Sequence, residues 1–278
     1  MQVGMLTAPF SRDDLDTVVS FAKSAGFDAL EVRVGAAHCD VMGDFDAKKF
    51  AATIRDAGLE ISSLAAYVNI TAGDEAERAN NQAIVEAALK VCAKVDIPIL
   101  CTLAGLPPAG MKKEDCIKQI AAPYYKKLAK KAADKGIKIA MENWYATNIQ
   151  HLGQWDLIFE EVPNENFGLN FDPSHLYWQD IDYLMAVERY ASRIFHSHAK
   201  DCEVVGHKRA FVGNQAGGWW RYVIPGFGDL DWGVYCARLR RNGFNGVLSI
   251  EHEDAALGRE EGFELGCRFL RQFADGSK

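Results

Sequence analysis

Four short stretches of this chain place a carboxylate or an imidazole where an apolar run ends. They are Met141-Glu142-Asn143-Trp144, Phe171-Asp172-Pro-Ser-His175, Ile194-Phe-His196-Ser-His198-Ala-Lys-Asp201 and Ile250-Glu251-His-Glu-Asp254. Carboxylate oxygens from Glu142, Asp172 and Glu251, with one nitrogen from His198, form a ligand set for a hard or borderline divalent cation. Mn2+ heads the expectation, with Mg2+, Co2+ or Zn2+ as alternatives. Taken singly, each residue has an ordinary use. Asp172 before Pro173 could form a turn or cap a helix, a lone histidine could be bonded in the core, and a strand-end glutamate could pair at the surface. Taken together, four charged or polar groups buried at successive strand ends repel or stay unpaired unless a cation joins them. The period-two rule puts Ile194, His196 and His198 on one face. His196 then lies two residues deeper and supports a ligand rather than acting as one. His175 leaves the strand and can reach a substrate or the outer shell of the metal. His252 points away from Glu251 and is structural, while Glu253 and Asp254 cap the next helix.

These groups can meet only if the fold gathers the strand ends. One phrase recurs: an amphipathic helix, a glycine, then a β-rich run, with the glycine at Gly26, Gly58, Gly136 and Gly243. Glycine just past a helix adopts the left-handed conformation at little cost. Eight strands are expected to start near Gln2, Phe27, Leu59, Ile97, Ile137, Phe167, Ile194 and Gly246, each followed by a helix. That alternation means parallel strands joined by right-handed crossovers. Eight units in about 250 residues fit a (β/α)8 TIM barrel, a single α/β domain over residues 1–278. The competing open doubly wound sheet would carry a glycine-rich first turn, whereas this one reads Thr7-Ala-Pro-Phe-Ser11. Active sites of such barrels lie at the C-terminal strand ends. Glu31 and Arg33, ending the second strand, therefore join the candidates. The longest expected loop runs from Cys202 to Phe227.

Composition narrows the chemistry further. The formal net charge is -7, which disfavours binding to a phosphate backbone, so no nucleic-acid partner is expected. The seven cysteines are widely spaced without a Cys-x-x-Cys, as in proteins of reducing compartments. No apolar run reaches the roughly 20 residues of a membrane helix, and Met1–Phe10 has no signal-like pattern. A cytoplasmic protein with no membrane partner is the expectation.

The stretches Glu142-Asn143, Asp172-Pro-Ser-His175, His196-Ser-His198-Ala-Lys-Asp201, Pro225-Gly-Phe-Gly-Asp-Leu-Asp-Trp232 and Ser249-Ile-Glu-His-Glu-Asp254 together resemble the sugar isomerase/epimerase family with the xylose-isomerase-like barrel. That group includes ketose 3-epimerases, inosose isomerases and dehydratases and, more distantly, endonuclease IV. The resemblance implies metal ligands at Glu142, Asp172, His198 and Glu251, a substrate-contacting His175, a small sugar substrate, and a homo-oligomer (dimer or tetramer). The seven histidines and the acidic balance speak against an endonuclease. Ketose 3-epimerases carry a further glutamate six residues after the first ligand, where this chain has Asn148. The run Gly217-Gly-Trp-Trp-Arg-Tyr222 resembles the branch that handles oxidised sugars and keto-glycosides. There Trp220, with Trp219, could stack on a sugar face and Arg221 could bond an oxygen. Asp201, Lys200, Lys208 and Arg209 are further polar candidates.

The implied reaction is proton abstraction beside a metal-bound carbonyl through a cis-enediolate, with Glu142 and Glu251 as the acid/base pair. Return of the proton to the other face gives epimerisation, and its transfer to the neighbouring carbon gives isomerisation. Loss of a β-oxygen gives lyase or dehydratase chemistry on a keto-sugar, inosose or keto-glycoside. A hydrolase or a non-catalytic sugar-binding barrel stays as a further alternative.

Overall fold

A computed structural model of the chain describes residues 1–274; the last four residues of the expected 1–278 domain lie outside it. Eight parallel strands close into a barrel: β1 (Gln2–Leu6), β2 (Ala29–Arg33), β3 (Glu60–Ala66), β4 (Ile99–Leu103), β5 (Lys138–Glu142), β6 (Phe167–Phe171), β7 (Ile194–Ala199) and β10 (Val247–Ile250). Between β7 and β10 the chain adds an antiparallel pair, β8 (Asp201–Val204) and β9 (Trp220–Val223). The TIM-barrel expectation holds, and each strand starts within two residues of its expected position.

Local chemistry explains why the units repeat. Gly26, Gly58, Gly136 and Gly243 all have φ between 69° and 86°, the left-handed region that ends a helix and turns the chain into the next strand. Asp14, Asp74, Asp182 and Asp231 accept bonds from backbone N–H groups in the first turns of the helices Leu15–Ser24, Glu75–Lys94, Tyr183–Arg189 and Trp232–Arg241. The helices pack their apolar stripes on the outside of the barrel, and all seven cysteines are free and buried.

The structure corrects two expectations. The segment 202–227 is no plain loop: β8 and β9 pair from Asp201↔Val223 to Val204↔Trp220 and carry the helix Gly206–Val212 at their tip. Along β7, Ile194 does not share a face with His196. The pairing steps from Leu169↔Ile194 to Asn170↔His196, so Phe195 is an extra, bulged residue. Ile194 packs in the outer core, while Phe195 joins the small inner plug of Leu6, Ala65, Cys101 and Ala140. His196 and His198 keep the inward face above that plug.

Candidate active site

Four neighbouring strands deliver the site. In barrel order they are β10, β7, β6 and β5, with Glu251 just past β10, His198 on β7, Asp172 just past β6 and Glu142 closing β5. Each offers one ligand atom, and the four atoms lie within 4.8 Å of one another. His198 Nδ1 is 3.1 Å from Glu251 Oε2, 3.5 Å from Glu142 Oε1 and 3.8 Å from Asp172 Oδ2.

The residues around the set leave particular atoms free. Ser174 donates to Asp172 Oδ1 from both its backbone N and its Oγ, at 2.8 and 2.6 Å. The other oxygen, Asp172 Oδ2, is buried without a hydrogen-bond partner. Asn143 exchanges two bonds with the backbone of Asp172 and so ties the end of β5 to that of β6. Glu31 Oε2 lies 3.2 Å from His198 Nε2, and the Tyr67 hydroxyl lies 3.1 Å from the same nitrogen. A carboxylate at Nε2 holds the proton there and turns the lone pair of Nδ1 inward. His198 Nδ1 is the second buried atom of the set without a partner. Buried polar atoms are rarely left unpaired. Two orphaned donors of electron pairs among three carboxylates fit a divalent cation, and oxygen with one imidazole nitrogen suits a hard or borderline ion.

The carboxylates around the set are held in their charged forms. Burial would raise the Glu31 carboxyl, but His198 and His196 outweigh it and hold it at about 2. Burial opposes ionisation of Glu142 as well, yet the bond from His175 and the nearby His198 and Lys200 keep it well below the usual carboxylate range. Glu251 is likewise driven down to about 2, against burial, chiefly by Lys200 and His198. Lys200 is 1 % exposed, and its Nζ sits 2.6 Å from Glu251 Oε2, 3.3 Å from Glu253 Oε2 and 3.4 Å from Asp172 Oδ2. Burial works against its charge, but Glu251, Asp172 and Glu253 more than compensate and raise it.

The other expected site residues divide into two groups. His175 lies against the set, with Nε2 3.2 Å from Glu142 Oε1 and 3.5 Å from Asp172 Oδ2. Glu31 lies beneath it as the partner of His198. His196 is one layer lower: Nδ1 meets Asn170 Oδ1, Nε2 meets Ser62 Oγ, and burial pushes its pKa down to about 4. Asn170 in turn donates to the Tyr67 hydroxyl. Trp220 is half-buried and stacks on Trp178, ring centroids 4.4 Å apart, with Tyr145 edge-on to both.

Arg33 is exposed at the rim, with no side-chain bond to the cluster among the described contacts. Two expectations are corrected. Arg221 points to the opposite face of β9 from Trp220 and Tyr222, and its guanidinium is committed to Glu203 (2.6 Å) and Asp254 (2.9 Å). Asp201 does not face a substrate. Its oxygens accept from the backbone N–H groups of Cys202, Gly226 and Leu230 and from Trp232 Nε1, at 2.8 to 3.1 Å. The segment Pro225–Trp232 is thus a collar around one buried carboxylate. Asp201→Ala should strip four donors of their acceptor and cost roughly 1–3 kcal/mol of stability per group left unsatisfied. Urea denaturation checks it; a fully stable variant with weakened substrate binding would restore the substrate-contact reading. Of the smaller expectations, His252 is structural: it bonds Gly258 O and the Asp254 backbone N. Glu253 and Asp254 do not cap the next helix, whose N-cap is Gly258; they pair with Lys200 and Arg221. Asn148 is buried and bonds Ala104 O and Gly105 O, locking two loops together.

Lys200 was one polar candidate among several, and its central place comes only from the fold. Tyr67 carried no signal, since it follows Ala65-Ala66 at the end of an apolar strand.

The fold is a parallel eight-stranded barrel with three carboxylates and one imidazole converging at its C-terminal mouth, a group that could hold a divalent ion. The chain belongs to the xylose isomerase-like TIM barrel family, which it matches over residues 19–273. It is 24 % identical to protein YfiH of Bacillus subtilis over 98 % of this chain and 99 % of that one. It is 32 % identical to an inosose dehydratase of Glaesserella parasuis, but over only 56 % of this chain and 55 % of the dehydratase, about half of each. Among solved structures, the IolI protein with a bound zinc atom superposes with a TM-score of 0.79 at 18 % identity, covering 98 % of both chains. An L-ribulose 3-epimerase gives 0.73 at 17 % identity, covering 96 % of this chain and 92 % of the other. At these identities the superpositions speak for the fold. No helix of the described residues is long and apolar enough to cross a membrane.

Proposed function

We propose that this chain is a divalent-metal-dependent sugar isomerase or epimerase that removes a proton from the carbon beside the carbonyl of a ketose or keto-sugar. The observation that carries this reading is the convergence of Glu142, Asp172, His198 and Glu251 within 4.8 Å, with Asp172 Oδ2 and His198 Nδ1 buried and without a hydrogen-bond partner. These four residues would hold the ion, with Mn2+ as the first choice. When bound, the cation supplies a fixed positive charge that favours negative charge developing on neighbouring oxygens.

The chain's own residues supply the rest. Glu142 and Glu251 stand at the two ends of the four-strand arc, so one can take a proton on one side of a substrate and the other can return it. His175 Nε2, beside Glu142 Oε1, is placed to bond a substrate oxygen or to steady Glu142. Lys200 keeps Glu251 charged and in place. The paired strands β8 and β9 lay Trp220 and Tyr222 over this side of the mouth, which helps exclude water.

A dehydratase on a keto-sugar or inosose is the second reading. It is supported by the likeness to inosose dehydratases and by Asn148, which is locked into structural bonds where a ketose 3-epimerase has a glutamate. One experiment separates the two. The purified protein is incubated in D2O with Mn2+ and a panel of ketoses, inososes and 3-keto sugars, and followed by proton NMR. Deuterium entering the carbon beside the carbonyl, with the oxygens retained, is the isomerase or epimerase outcome. Loss of water from the substrate is the dehydratase outcome. No exchange with any of them would overturn both.

A further inference from the structure

The chain Trp178–Tyr222–His175–Glu142 runs from the added strand β9 into the ligand set, and the proton count along it has one consistent solution. Trp178 Nε1 lies 3.3 Å from the Tyr222 hydroxyl and can only donate. The Tyr222 hydroxyl lies 2.5 Å from His175 Nδ1. On its other side, His175 Nε2 faces Glu142 Oε1 at 3.2 Å and Asp172 Oδ2 at 3.5 Å. Lys200 Nζ is 3.4 Å from the same nitrogen, a longer contact than those it makes to Glu251 Oε2 at 2.6 Å and Glu253 Oε2 at 3.3 Å.

We infer that Tyr222 is a positioning residue: its hydroxyl donates to His175 Nδ1 and so fixes the imidazole as the tautomer with its proton on Nε2, aimed at Glu142. In that arrangement every group is satisfied. Trp178 gives its proton to Tyr222, Tyr222 gives its own to Nδ1, and Nε2–H gives to the carboxylate. With the proton on Nδ1 instead, the Nε2 lone pair would oppose two carboxylate oxygens and the Tyr222 proton would have no acceptor. The ring of Tyr222 is fixed independently, with Lys200 Nζ 4.4 Å from its centroid and the ring edge-on to His175. The barrel itself supplies His175, but an element outside the barrel decides which of its nitrogens can donate at the site.

The test has two arms. The first reads the tautomer directly, by 15N NMR of the histidine side chains, on the protein as purified and after adding diamagnetic Mg2+ or Zn2+. His175→Gln assigns the signal. The expected wild-type result is a protonated Nε2 and an unprotonated Nδ1. Tyr222→Phe keeps the ring and its contact with Lys200 but removes the hydroxyl, and should let the two tautomers interconvert. A wild-type proton on Nδ1, protons on both nitrogens, or an unchanged His175 signal in Tyr222→Phe would overturn the inference. The second arm rests on the function proposed above. Tyr222→Phe should lower kcat by about 10- to 100-fold with little change in KM, the usual effect of losing a partner that orients an active group. An unchanged kcat beside a changed tautomer would remove the catalytic consequence. Failure of every substrate with the wild-type protein would count against the proposed function and leave the tautomer result standing.

Discussion

Glu142→Gln is expected to stop proton exchange at the substrate carbon while leaving the barrel folded. The substitution is nearly isosteric, so Oε1 can still accept from His175 Nε2 at the 3.2 Å contact. Two things are lost. A neutral amide cannot take a proton, which for a positioned base costs about 10²- to 10⁴-fold in rate. The ligand set also falls from three negative charges to two, so the divalent ion is held less tightly. The rate of deuterium uptake, measured beside metal content, separates the contributions: full metal occupancy with no exchange isolates the base. The metal-free variant should be somewhat less resistant to heat than the wild type near neutral pH, because the folded state favours the Glu142 anion and its carboxyl is held well below the usual range. Undiminished exchange with metal bound would remove Glu142 from the chemistry.

The positions of such residues were legible where sequence pattern and fold share a rule. A barrel presents strand ends at one rim, so Glu142, Asp172, His198 and Glu251 could be picked out as acids and an imidazole terminating apolar runs. The helix-ending glycines were legible because a left-handed turn leaves few other choices. What depends on long-range register was not. Tyr67 reaches His198 across 131 positions of sequence, and nothing in Ala65-Ala66-Tyr67 announces it. Asp201 looked like a rim residue, yet its four donors come largely from a segment 25 to 31 residues away. Arg221 is different: once β9 is known to be a strand, alternation alone turns it away from Trp220 and Tyr222. The missing signal there was the strand, since Gly217 and Gly218 and the exposed residues before them read as loop. The bulge at Phe195 was hidden for the same reason, because a single inserted residue changes which side chains face inward without changing composition.

Lys200→Met is expected to destabilise the fold strongly when no metal is added. The ammonium is buried and contacts Glu251, Glu253 and Asp172 between 2.6 and 3.4 Å, so its removal leaves acids facing one another in a medium that screens them poorly. Breaking a buried ion pair by deleting one partner costs about 3–5 kcal/mol, mostly as the penalty on the charge left behind. Methionine fills much of the same volume, which keeps a packing defect from accounting for the loss. The proposed metal gives the prediction a second part. A divalent ion in the ligand set would supply the missing positive charge, so adding Mn2+ should recover more stability in Lys200→Met than in the wild type. Binding at 100 times Kd contributes about 2.7 kcal/mol by mass action, enough to be read in urea titrations. A variant as stable as the wild type without metal would show that Lys200 does not balance these carboxylates. A large loss that Mn2+, Mg2+, Co2+ and Zn2+ all fail to reduce would separate the ion pair from the ligand set, and the four strand ends would then need another explanation for their convergence.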